Sequence, residues 1–358
     1  MVLTVGVDVH KGSHTAVMVD QVGARQASKT VKATDAGHLE LTVWARAQAT
    51  QLTGSKPGET GGVCWAVEDC RHVSTRLERA LLATGARVVR VPPKLMAGTR
   101  ASARTRGKSD PIDALAVARA ALREPDLPVA EHDPESRELK LLVDHRESLL
   151  GERTAKVNRL RWHLHGLDPE LHLPARGLGS LRRLDWLTAH LAEAHTGLAA
   201  ELAAELIGDI RRVTVRIRAL EREITARTQA LAPQLLDLDG CAALTAAKIL
   251  GETANITRFR SEACYAMHAG VAPVPASSGR SDRHRLARGG NRQLNAALHR
   301  IARTQARMPD SLGHAYYQRR IAGSDQDKDA IRALKRRLAR VVYNLLQPTV
   351  HDHERAAA

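Results

Sequence analysis

Four acidic residues stand where an isolated carboxylate has little reason to be. Asp8 closes the apolar run Val5-Gly6-Val7-Asp8-Val9, and Glu68 closes Val63-Cys64-Trp65-Ala66-Val67-Glu68. Asp110 and Asp113 open a helix-like stretch, Lys108-Ser109-Asp110-Pro111-Ile112-Asp113-Ala114. Carboxylates at strand ends and in the first turn of a helix are hard oxygen donors of the kind that hold Mg²⁺, with Mn²⁺ as an alternative. Two such ions about 4 Å apart can activate an attacking oxygen and stabilise a leaving one in phosphodiester chemistry. The spacing of Asp110 and Asp113 places both on one helix face. Acidic residues at a helix N-terminus are also favoured by the helix dipole alone, so either Asp taken singly has a bland explanation. The metal reading rests on the set of four. Within it, Asp69 competes with Glu68, and strand alternation favours Glu68 by turning Val67 and Asp69 to the opposite face.

The rest of the chain points to a polyanionic partner. Over 358 residues the formal net charge is +15, and hydrophobic residues make up 43%, enough for two or three folded domains. Aromatic residues are only 3%, which argues against base stacking as the main mode of binding. Arg87, Arg90, Lys94, Arg100, Arg104, Arg106 and Lys108 precede the Asp pair without an intervening acid, and they read as a mobile clamp for phosphates. A second basic tract comprises Arg280, Arg283, Arg285, Arg288 and Arg292. Cys64, Cys70, Cys241 and Cys264 lack C-x-x-C spacing and read as thiols in a reducing compartment, not as a zinc site. With no secretory signal and no apolar run of membrane length, the expected location is the cytoplasm.

These residues need elements to hold them. Residues 2–9, Thr15 to Asp20 and Ala27 to Lys32 read as three strands of an antiparallel meander. A helix follows from about Thr34 to Ala49, then a Gly/Pro/Ser/Thr loop over 54–62, a strand ending at Glu68, and a helix from about Val73 to Ala83. A strand from Ala86 to Val91 is stopped by Pro92-Pro93, and a basic connection leads to a helix near Ser109, its expected N-cap. This order is that of an RNase H-like α/β domain. Period 2 sets Thr4, Gly6 and Asp8 on one face and Leu3, Val5 and Val7 on the other, so Asp8 is expected away from the buried apolar face.

From about Pro134 the pattern is helical. Leu139, Leu142, Val143, Leu149 and Leu150 lead one helix, and one long run from Leu184 to about Leu231 forms another after the break at Gly166 to Gly179. The pair reads as a coiled-coil-like arm, either packed on itself or used for dimerisation. Leu238-Asp239-Gly240-Cys241-Ala242 then resembles the turn of a helix-hairpin-helix, with Gly240 offering backbone amides to a DNA phosphate. The expected divisions are 1–130 (catalytic), 131–235 (helical arm), 236–350 (mostly α) and 351–358 (tail).

Gly6-Val7-Asp8-Val9-His10-Lys11, Val67-Glu68 and Lys108-Ser109-Asp110-Pro111-Ile112-Asp113-Ala114 together resemble the DEDD catalytic set of bacterial insertion-sequence transposases. That group includes the pilin-gene invertase, and its catalytic domain resembles the RuvC resolvase. Asp239-Gly240 through Phe259, Ala269-Gly270-Val271-Ala272-Pro273, Ser278-Gly279 and Gly290-Asn291 resemble the family's second domain, so the likeness covers nearly the whole chain.

The resemblance implies a DNA recombinase in which Ser278, before Gly279, is the nucleophile that joins DNA covalently. Read without the resemblance, Ser278 is an ordinary turn residue, and Ser277 stands beside it. The resemblance further implies double-stranded DNA (element ends and target) as substrate, a structured non-coding bridge RNA as guide, and dimers that pair into a synaptic tetramer. The site would be composite, with carboxylates and serine from different protomers. Alternatives are a RuvC-like nuclease using water, a non-catalytic nucleic-acid-binding protein, and an actin-like sugar kinase. No Gly-rich phosphate loop follows residue 114 to support the last.

Overall fold

The computed structural model describes residues 3–54, 63–101, 107–124, 127–131, 133–174, 177–276, 284–287 and 289–348. The chain divides into two compact units: residues 1–132 with Thr257–Phe259, and residues 133–256 with 260–358.

The first unit is built on a five-stranded sheet. Strands β1 (Leu3–Val9), β2 (Ser13–Val19) and β3 (Arg25–Lys32) form the antiparallel meander, and β4 (Val63–Glu68) and β5 (Arg87–Val91) run parallel to β1, giving the order β3-β2-β1-β4-β5. Helices α1 (Asp35–Thr53) and α2 (Arg71–Leu82) cover one face. There Leu41, Leu77 and Leu81 pack on Leu3, Val5 and Val7. A mixed sheet in this order, with helices on both faces, is the RNase H-like α/β fold that the sequence predicts.

The other face differs from expectation. The Thr4-Gly6-Asp8 face of β1 is not open but lies under α4 (Asp110–Arg123), and Asp8 is only 4% exposed. Gly6 makes this possible. A Cβ placed on it would stand 2.7 Å from Ala118 Cβ, and closer still to the Ala114 carbonyl oxygen and the Ala118 amide. The small residues of α4, Ala114 and Ala118, let its backbone approach the strand as no larger pair would.

The basic connection after β5 is also not a loop throughout. Pro93–Ala101 forms a helix, α3, starting at a proline suited to a first helical turn, and its Leu95 and Met96 pack with Val89 and Val91. Arg104 and Arg106 lie outside the described residues. Arg90, counted with the basic stretch, is buried, and donates from Nε (3.1 Å) and Nη2 (2.7 Å) to Glu78 on α2, so it is withdrawn from any phosphate.

In the second unit, α5 (Pro134–Leu167) and α7 (Leu198–Leu231) lie against each other, and α6 (Leu181–Ala194) packs on both. Leu184, Leu187 and Leu191 of α6 meet Leu160 and Leu164 of α5 and Ala203, Ile207 and Ile210 of α7. The single long run expected from Leu184 to Leu231 is therefore two helices. It breaks at His195–Gly197, where Gly197 takes φ 91°, a conformation that leaves the helix and suits glycine.

The remainder comprises α8 (Ala243–Thr253), α9 (Glu262–His268), the short strands β6 (Pro273–Pro275) and β7 (His284–Leu286), α10 (Arg292–Gln305), α11 (Leu312–Ala322) and α12 (Asp327–Leu345). Among the described residues no helix is long and apolar enough to cross a membrane.

Candidate active site

Strands β1 and β4 are parallel neighbours in register from Leu3↔Val63 to Val7↔Val67, so their ends bring Asp8 and Glu68 side by side. The first turn of α4, laid across Gly6, adds Asp110 and Asp113. Ser109 takes the extended N-cap conformation, but its side chain makes no capping bond. Only its carbonyl is engaged, by the Asp113 amide.

All four predicted carboxylates belong to one electrostatic cluster. Burial chiefly raises the Asp8 pKa, His10 opposes the rise, and Glu68, Asp113 and Asp110 add to it. Glu68 is thus the β4 acid acting on Asp8. The Glu68 carboxylate also accepts from the Cys70 thiol, and burial together with Glu68, Asp69 and Asp8 pushes that thiol up to about 11. Its acidic neighbours thus favour the thiol form of Cys70.

Among the described residues, two nitrogen-bearing side chains meet these acids. His10 Nε2 lies 3.1 Å from Asp8 Oδ2 and 3.6 Å from Asp110 Oδ1. Arg100 of α3 donates to Asp113 Oδ1 at 2.8 Å. Ligand atoms of Asp8, His10 and Asp110 all fall within 4.8 Å of one another, a spacing that a single divalent cation can bridge. The residues fit such an ion. The buried Asp8 and half-exposed Asp110 would share it, with Glu68 beside them, while Asp113 is held by Arg100.

Sequence reasoning passed over His10 although it lies within the Gly6–Lys11 motif. Its place two residues beyond Asp8, the period that returns a side chain to the same face, was the available signal. Arg100, expected on DNA, is here a carboxylate partner.

The remaining predicted contacts are scattered. Lys94 and Lys108 are exposed in the first unit, and Arg285 and Arg292 are exposed in the second. Gly240 adopts φ 75° in a turn packed on α10, where a Cβ would stand 3.0 Å from Thr304 Cβ. Gln305 donates to the neighbouring Asp239 carbonyl at 2.8 Å.

Ser277, Ser278, Gly279, Arg280, Arg283 and Arg288 lie outside the described residues. The strands that flank Ser278 in sequence, β6 and β7, pair antiparallel. Their base is fixed by motif residues. Gly270 takes φ 65°, the backbones of Gly270 and Gly290 touch where neither tolerates a Cβ, and Asn295 donates to the Ala269 and Gly270 carbonyls. Asn291 caps α10 and donates to Glu252 at 2.6 Å.

Residues 5–169 match a family model described as transposase, and residues 232–318 match one described as the transposase IS116/IS110/IS902 family. The uncharacterised 44.8 kDa protein of insertion element IS116 from Streptomyces clavuligerus is 28% identical, over 96% of this chain and 94% of its own length. The uncharacterised 42 kDa protein of insertion element IS900 from Mycobacterium paratuberculosis is 26% identical, over 96% and 95%. Among solved structures, T. thermophilus RuvC in complex with a Holliday junction substrate aligns with 36% of this chain and all of its own, at 14% identity and a TM-score of 0.25. With its N-terminal and C-terminal parts matched in the order of full-length relatives, the chain belongs to the IS116/IS110/IS902 group of DEDD-type insertion-sequence transposases, enzymes that cleave and rejoin DNA.

Proposed function

We propose that the first unit positions a DNA phosphate on Mg²⁺, with Mn²⁺ able to substitute, through Asp8, Glu68, Asp110 and Asp113, and that Ser278 makes the attack. The observation that carries this reading is the convergence of four carboxylates on a buried Asp8 whose ionisation is opposed by its surroundings. A bound divalent cation would offset that repulsion and draw negative charge from the phosphoryl oxygens.

The chain's own groups do the rest. Arg100 turns Asp113, His10 bridges Asp8 and Asp110, and Lys94, Arg104, Arg106 and Lys108 hold the strand by its phosphates. Ser278 Oγ attacks phosphorus, the bond from phosphorus to the leaving sugar oxygen breaks, and a serine phosphodiester remains. A hydroxyl from another strand reverses the step and seals the exchange. A serine hydroxyl is a weak nucleophile unless a base or metal activates it. The carboxylate cluster supplies that activation in a composite site, with Gly279 permitting close approach and Arg280, Arg283, Arg285, Arg288 and Arg292 neutralising phosphate.

Target choice is assigned to a structured bridge RNA. The +15 charge supports a second nucleic-acid partner, and the scarcity of aromatic residues leaves little for direct base stacking. The α5–α7 arm is assigned to dimerisation, and two dimers to the synaptic tetramer.

The test is a denaturing gel with labelled element-end DNA, guide RNA and Mg²⁺. Parent protein should form a covalent protein–DNA adduct, Ser278→Ala should form none, and Asp8→Asn should neither form an adduct nor cut. Free nicked ends from Ser278→Ala at the parent rate would refute the serine step and leave a nuclease that uses water.

A further inference from the structure

A second cluster of metal-binding character lies in the other unit and takes no part in the chemistry above. Asp168 ends α5, and His190 and His195 lie on the last turn of α6 and at its C-cap. Their ligand atoms fall within 4.8 Å of one another. His190 Nε2 is 3.5 Å and His195 Nε2 is 4.0 Å from the same atom, Asp168 Oδ2.

Neither distance is that of a hydrogen bond, which would close below about 3.2 Å. Both Nε2 atoms are nevertheless buried without a hydrogen-bond partner. An orphaned, buried imidazole nitrogen is costly, and two aimed at one carboxylate oxygen call for a common partner. Donors at about 2.0–2.2 Å from a tetrahedral ion stand about 3.3–3.5 Å apart, which is close to the spacing here.

The surroundings favour a cation. Asp168 and His195 cap the C-termini of two helices, with amides bonded to Leu164 and Leu191 carbonyls, so the negative ends of two helix dipoles meet at the cluster. Asp168 Oδ1 is fixed by the Glu170 amide at 3.1 Å, which leaves Oδ2 for the site. The Trp186 ring stacks on His190 at 5.2 Å and 8° and holds its plane. Leu164 and Leu191, the residues whose carbonyls accept those amides, are buried in the hydrophobic core shared by α5, α6 and α7. The Asp168 carboxylate and the His190 ring are thus each oriented by a neighbour, as ligands of built metal sites are.

We propose that Asp168, His190 and His195 bind a borderline divalent transition metal, Zn²⁺ by class, which ties the end of α5 to the α6–α7 turn. Two imidazoles and one carboxylate select Zn²⁺ over Mg²⁺ and leave a fourth position for water.

The test uses untagged, metal-stripped full-length protein titrated with Co²⁺ as a visible probe. Expected are one tetrahedral Co²⁺ per chain, its displacement by Zn²⁺, and its persistence in excess Mg²⁺. His190→Gln and the isosteric Asp168→Asn should each weaken binding by about 100-fold or more, with circular dichroism showing unchanged helix. Asp8→Asn should leave the signal intact, which separates this site from the carboxylate cluster. The proposal is overturned if no tetrahedral band forms, if excess Mg²⁺ displaces it, or if folded Asp168→Asn binds Co²⁺ as tightly as the parent.

Discussion

Gly6→Ala tests whether the closeness of α4 to β1 makes the site. The added methyl would stand 2.7 Å from Ala118 Cβ, against about 3.5–4.0 Å for carbon atoms at ease, and the Ala114 carbonyl and Ala118 amide are nearer still. These are backbone atoms of a helix that cannot rotate away as a side-chain tip would. The helix must therefore move by about 1 Å, carrying both acids with it, since Asp113 adjoins Ala114 and Asp110 lies one turn before it. Overpacking of this kind costs about 1–3 kcal/mol of stability, and a displacement of about 1 Å at a reacting centre can cost about 100-fold in rate.

The assay pairs urea denaturation with a two-plasmid transposition assay on the element's own ends. The expected outcome is a folded, less stable protein with transposition lowered about 100-fold. Gly151→Ala serves as control. Gly151 lies in α5 with nothing within 4 Å of a built Cβ, and an alanine there should add about 0.5–1 kcal/mol of stability where Gly6→Ala loses it. Parental stability and parental transposition in Gly6→Ala together would refute the reasoning.

Two further outcomes follow from the titrating groups. Asp8, its pKa raised by burial and by the neighbouring acids, stabilises the fold only while protonated, and that contribution is lost as pH rises through its folded pKa. Asp8→Asn in EDTA at neutral pH should therefore melt higher than the parent while losing all DNA cleavage, and added Mg²⁺ should narrow the gap by stabilising only the parent. A lower melting temperature in EDTA would count against the crowded-carboxylate description. His14, stacked on His38 and 1% exposed, is pushed down from 6.5 to about 4 by burial and then by His38. The unfolded chain takes up the proton first, so stability is lost as pH falls from about 6.5 toward 4, by up to about 3 kcal/mol from this residue. Denaturation between pH 7 and 4.5 should show a steeper acid loss for the parent than for His14→Gln, and equal slopes would contradict it.

The strand order of the first unit was legible in the sequence, and its four acids stood out there, because both depend on local pattern. Period-2 runs cut by Gly and Pro mark strands, and a polar residue ending an apolar run marks a site. Asp110 and Asp113 announced themselves through the first turn of a helix that Pro111 initiates. Glu68 and Asp69 are adjacent in sequence, and it is the pairing of β1 with β4 that brings the end of β4 beside Asp8.

What only the tertiary structure decided are the properties that arise when distant segments meet. Asp8 is buried because α4 covers Gly6, and nothing within residues 3–9 states that. Arg90 and Arg100 read as free cations in a basic stretch, yet one is buried on Glu78 and the other holds Asp113, because a charge near an acid in space is satisfied whatever its neighbours in sequence. His10, already beside Asp8, reaches Asp110 only because α4 lies across β1. His190 and His195 have a ligand-like H-x4-H spacing along the chain, but Asp168 joins them only because α6 packs back on the end of α5. Periodicity and composition act through neighbours along the chain. Burial, ion pairing and metal geometry act through neighbours in space, and the close approach of helix to strand at Gly6 determines which residues those are.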